Sequence, residues 1–166
     1  MRVIETKVYK FEELSDEGKQ KAVEKLYDIN VSHDWWKHLY EDAANIGLKL
    51  TGFDLDRNRY AAGNFTLAAC EVAANIFRDH GETCETYKTA TDFMEEWQPA
   101  FNKYMETEGY ELEQELIRME SEFEESLIED YSILLQKEYD YQTSEEAIIE
   151  TIEANDYEFT EEGELV

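Results

Sequence analysis

Leu112, Leu116, Met119, Phe123, Leu127, Tyr131 and Leu134 follow one another at intervals of three and four residues. Only an α-helix brings such a series onto one face. The helix it predicts runs from Glu111 to about Tyr141, roughly thirty residues or ~45 Å at ~1.5 Å per residue. The opposite face is carboxylate: Glu111, Glu115, Glu122, Glu125 and Glu129 align along it, with Glu113, Glu120 and Glu124 beside them and Arg118 interrupting. Like charges at this spacing cost an isolated helix about 0.2–0.5 kcal/mol per pair. Local helix stability therefore does not account for the row, and the acidic surface becomes the first place to look for function.

The same bias extends over the whole chain, whose 41 Asp and Glu against 15 Lys and Arg leave a net charge of −26. Acidic chains that stay disordered are poor in aromatics; here Phe, Trp and Tyr make up 13% of the residues, so a packed core is expected. A charge of this size repels nucleic acid and anionic lipid and steers the protein toward positively charged partners. There is no run of about 18 apolar residues and no apolar leader after Met1-Arg2, so a soluble, cytoplasmic protein is expected. Cys70 and Cys84 are too few and too far apart for a disulfide framework or a CxxC zinc pair and are expected to be free thiols.

At 166 residues the chain fits a single domain, 1–166. A mixed core over 1–109 is expected, with the acidic helix and tail, 110–166, packed on it across a break at Glu108-Gly109. Alternation from Val3 to Tyr9 predicts a strand. Ser15 is placed to cap a helix that buries Ala22, Val23, Leu26 and Tyr27. Ser32 is read as the cap of a second helix ending at Gly47, with Trp35 and Trp36 as the hub of the core. Leu48–Leu55 and Arg59–Phe65 read as a hairpin turning at Asp56-Arg57-Asn58. Helices follow over 67–80 and 87–105, the latter broken or kinked near Trp97-Gln98 by Pro99. Thr143 or Ser144 caps a short helix carrying Ala147, Ile148 and Ile152, and Tyr157 to Val166 returns as one or two strands beside the first. The class is α+β: a small antiparallel sheet of N-terminal strand, central hairpin and C-terminal strand, packed by several helices.

Catalytic and metal-binding patterns are wanting. His33 and His38, five apart, fall on different helical faces. Asp54-Leu55-Asp56-Arg57-Asn58 opens like a calcium loop but has Arg59 at the sixth position and Phe65 at the twelfth, where Gly and a bidentate Glu are needed. His80, just before Gly81, suits a helix C-terminus. No phosphate loop, nucleophile elbow or H-E-x-x-H set is present. A non-enzyme is expected, with no cofactor and no bound metal.

Asp34-Trp35-Trp36, Tyr40-Glu41-Asp42-Ala43 and the stretch from Gly47 to Arg57 resemble a family of small acidic proteins of bacteriophages and mobile elements. Val8-Tyr9-Lys10-Phe11, Glu13-Leu14-Ser15, Ser144-Glu145-Glu146-Ala147 and Tyr157-Glu158-Phe159-Thr160-Glu161 extend the resemblance to both ends of the chain. Some members carry an antitoxin label. The family supplies no catalytic motif; what the resemblance implies is a mobile-element setting, and with it an anti-defence role in the host cytoplasm.

Together these readings predict a nucleic-acid mimic. It would block the basic DNA- or RNA-binding surface of a host defence nuclease, of the restriction or CRISPR kind, through Glu111, Glu115, Glu120, Glu122, Glu124, Glu125 and Glu129. A second row of charge is expected from Asp130, Glu138, Glu145, Glu146 and Glu150. An antitoxin that sequesters a basic toxin and a phage structural or assembly protein are the alternatives.

Overall fold

A computed structural model describes residues 7–166. In chain order these form β1 (Tyr9–Lys10), a single 3-10 turn at Phe11–Glu13, α1 (Asp16–Lys25), α2 (Lys37–Ile46), β2 (Leu48–Asp54) and β3 (Tyr60–Phe65). After these come α3 (Ala69–Asp79), α4 (Glu85–Thr107), α5 (Tyr110–Gln142), α6 (Glu145–Ala154) and β4 (Glu158–Phe159). The class is α+β, as the patterning predicts. The strands, however, form two separate antiparallel ladders, β1 with β4 and β2 with β3, in place of the one sheet expected. Of the N-terminal strand, Val3 to Thr6 lie outside the described residues, and within them pairing begins at Tyr9.

The chain divides into two compact units, residues 7–35 with Lys137–Val166, and Trp36–Gln136. The first unit holds α1, α6 and the β1–β4 ladder, in which Tyr9 pairs with Phe159 and Lys10 with Glu158. Its core is Phe11, Leu14, Ala22, Ile148, Ile152 and Phe159. Both of its helices start on the expected serines: the Gly18 amide donates to Ser15 Oγ (3.1 Å) and the Ala147 amide to Ser144 Oγ (3.3 Å), bonds worth about 1 kcal/mol each. Val23 and Leu26 pack on this core, but Tyr27 is exposed.

The second unit contains α2 to α4, the hairpin and most of α5. Its core gathers Ile46, Leu48, Val72, Ile76, Leu127 and Tyr131, all essentially without solvent contact. The tryptophan pair is not its hub. Trp35 is buried in the first unit against Tyr139, ring centroids 5.6 Å apart, whereas Trp36 meets Phe53 edge-on in the second. Helix α2 therefore starts later than expected, after Trp36, and the Ser32 hydroxyl donates to the Ile29 carbonyl (3.2 Å) rather than capping it. At its other end Gly47 takes φ +98°, the left-handed value that glycine adopts at low cost.

Pro99 does not break α4, which runs through it for 23 residues. Trp97 and Phe101, one turn apart on either side of the proline, stack at 4.6 Å, and Phe93 sits 5.9 Å from Trp97. Packing on this side holds the two halves together where one backbone donor is missing. Helix α5 then spans 33 residues after a break at Glu108, whose φ is +36°. Among the described residues no helix is long and apolar enough to cross a membrane.

Candidate partner-binding surface

Glu111 and Glu129 are 18 positions apart, five full turns at 3.6 residues per turn, so the row between them stays on one side of α5. Glu111, Glu115, Glu122, Glu125 and Glu129 are all exposed. The side chains of Glu111, Glu115 and Glu125 make no ion pair or hydrogen bond among the described residues. Glu122 accepts from Arg118 at 2.8 Å, one turn away on the same helix. Glu129 pairs with Arg59, whose Nε also donates to Ser132 Oγ at 2.9 Å.

Glu120 and Glu124 belong elsewhere. Glu120 is nine positions from Glu111, two and a half turns, and so lies on the far side of the helix. Both carboxylates are half-buried and satisfy donors of the packed interior: Trp97 Nε1 donates to Glu120 at 3.0 Å, and the Phe65 amide to Glu124 at 2.6 Å. Of the seven acids expected to face a partner, five stand in the row and two hold the fold.

A second acidic edge comes from α4, where the sequence reading did not place one. Thr89, Asp92, Phe93 and Glu96 on α4 and Met119, Glu122, Phe123 and Ser126 on α5 line a groove of about 220 Å³. Phe93 and Phe123 stack nearly parallel in its floor, centroids 4.2 Å apart with 4° between ring planes. Asp92 and Glu96 are exposed, and their side chains make no ion pair among the described residues. The signal was present in the spacing: each helix contributes its four residues at i, i+3, i+4 and i+7, which puts them on one face. Of the acids expected to form the second row, Asp130 is half-buried, accepts from Thr89 Oγ1 at 2.6 Å, and has its carboxyl pushed above the usual range by burial. Glu138, Glu145, Glu146 and Glu150 lie in the other unit, where Glu138 accepts from Gln142 (2.7 Å) and Glu150 from the Tyr141 hydroxyl (3.2 Å).

One polar network was not legible in the sequence. Buried Tyr131 donates to Asp42 Oδ2 at 2.6 Å; His80 Nε2 faces Asp42 Oδ1 at 3.4 Å without an aligned hydrogen bond; His80 Nδ1 is 2.7 Å from Thr86 Oγ1. A hydroxyl, an imidazole and a carboxylate thus stand in line. The hydroxyl is the buried end, since Thr86 is 3% exposed, and the carboxylate is the half-exposed one. A nucleophile set has the reverse order, with the hydroxyl toward substrate. His80 and Tyr131 hold the Asp42 carboxyl below its ordinary range against the opposing effect of burial.

The Asp54–Asn58 segment is a turn closed by its own side chain, the Asp56 amide donating to Asp54 Oδ1 at 2.8 Å. Cys70 is half-buried and Cys84 exposed, both as free thiols. Among the described residues no group of three His, Cys, Asp or Glu side chains is placed to hold a metal ion. Compared with protein-family models, curated proteins and solved structures, the chain matches none of them.

Proposed function

We propose that this protein is a non-enzymatic inhibitor that occupies the basic nucleic-acid-binding surface of a host defence protein, presenting α5 where phosphates would lie. The observation that carries the reading is the exposed row from Glu111 to Glu129, in which Glu111, Glu115 and Glu125 have no internal counter-charge among the described residues.

The row covers about 27 Å of axis at ~1.5 Å per residue. Over that length one DNA strand carries about eight phosphates, at ~3.4 Å each. Five carboxylates, two of them shared with Arg118 and Arg59, imitate such a strand only sparsely. Asp92 and Glu96 bring the total to seven. A decoy of this density suits a surface of discrete Arg and Lys side chains better than a continuous basic channel.

The test is competition. A host nuclease recovered on the immobilised protein should be displaced by duplex DNA. The triple variant Glu111→Lys, Glu115→Lys, Glu125→Lys should keep its circular dichroism spectrum and bind about threefold to a hundredfold more weakly, taking about 0.2–1 kcal/mol for each exposed charge contact. A captured protein that ignores both DNA and the triple reversal would remove the row from the mechanism.

A further inference from the structure

The groove between α4 and α5 has a chemistry of its own. Its floor is apolar, from Phe93, Phe123 and Met119, and carboxylates of both helices stand at its rim, Asp92 and Glu96 on one side and Glu122 on the other. At about 220 Å³ it is smaller than the ~300–1,000 Å³ of sites for drug-sized ligands. It is matched in scale to one long side chain.

An apolar floor beneath an acidic rim fits a group with an aliphatic stem and a cationic head. The head that uses such a rim best is the guanidinium, a planar fork with five donors that can meet carboxylates on two sides at once, whereas an ammonium offers three donors from one point. The chain shows the chemistry in miniature: Arg118 already donates to Glu122 at 2.8 Å, though it does not line the groove. A second cavity, about 300 Å³ in the first unit, is different in kind. Lys10 lines it and is ion-paired with Asp156 (3.0 Å), so that cavity carries its own cation.

We propose that the α4–α5 groove is the receptacle for a single arginine side chain of the partner protein, its stem on Phe93, Met119 and Phe123 and its guanidinium between Asp92, Glu96 and Glu122. This rests on the inhibitor reading above and gives that surface an anchor, a desolvated arginine being a common hot spot of protein interfaces.

The probe is N-acetyl-arginine amide, titrated into the intact protein while the Met119 methyl and Ser126 amide resonances are followed, with the uncharged isostere N-acetyl-citrulline amide as control. The arginine compound should shift both resonances saturably and the citrulline compound should leave them in place. Asp92→Asn with Glu96→Gln should weaken the arginine compound by about four- to twenty-five-fold, the size of two exposed ion pairs. Arg118→Gln, which frees Glu122, should strengthen it by about two- to fivefold, the size of an exposed ion pair. The triple reversal of Glu111, Glu115 and Glu125 should leave its affinity within about twofold. Equal shifts from the two compounds, or an arginine response that survives loss of Asp92 and Glu96, would overturn the proposal. Because no partner protein takes part, failure here and failure of the inhibitor reading are seen in different experiments.

Discussion

Tyr131 is the largest fully buried side chain among the described residues, and its hydroxyl is satisfied by an acid 89 positions away, Asp42. Removing the hydroxyl in Tyr131→Phe deletes a hydrogen bond to a charged acceptor, so about 1.5–3 kcal/mol of stability should be lost, readable as a lower urea midpoint with an unchanged slope. Asp42 links that stability to pH. Its folded-state pKa lies below the unfolded value of ~3.9, so its contribution is present above that value and is lost as pH falls through the folded one. Asp130 acts with the opposite sign, because burial raises its pKa; its charge penalises the fold as pH rises through the folded value. Asp42→Asn should therefore lower stability at pH 7 and flatten the acid limb of the unfolding curve. Asp130→Asn should raise stability at pH 7, and the Thr89 hydroxyl can still donate to the new amide oxygen. Urea titrations between pH 2 and pH 7 separate the two. None of these pairings could be read from spacing, and the same is true of Glu120 and Glu124: their donors are 23 and 59 positions away, whereas helical periodicity reports neighbours within about one turn.

Elements were legible where their ends carry local chemistry. Ser15, Ser144 and Gly47 mark helix ends through bonds or backbone angles that involve residues three or four positions away, and the hairpin followed from its alternation and turn. The Trp35-Trp36 hub failed because adjacent residues at a non-helical junction need not share a core, and here the boundary between units passes between them. In the first unit Gly163 lies close against α1 at Gly18. Gly163 has φ +76°, and a Cβ there would lie 2.4 Å from the Gly18 carbonyl oxygen and 3.0 Å from the Ala22 amide nitrogen, both backbone atoms. Gly163→Ala should cost more than about 1 kcal/mol, through the strained angle and the displaced helix together. Gly81→Ala is the control: its Cβ would meet nothing nearer than Cys84 Sγ at 4.0 Å, and thermal unfolding should shift little or upward.

A net charge of −26 should give stability and association with any basic partner opposite dependences on salt. Repulsion among 41 acids works against the compact state, and the ion pairs that relieve it, such as Lys21 with Glu17, Lys88 with Glu85 and Arg118 with Glu122, are exposed. Exposed pairs contribute little each, and the chain has only 15 bases to set against its 41 acids. Salt shortens the reach of charge from ~30 Å at 0.01 M to ~3 Å at 1 M, so it removes more repulsion than attraction from the folded protein. The melting temperature should rise over that range. Association with a basic partner depends on unlike charges across an interface and should weaken over the same range. Melting curves and affinity measured in one salt series therefore test the acidic surface from both sides. A rising melting temperature with unchanged affinity would mean that the carboxylates repel one another without recognising anything, and the α5 row would then be a solvated face.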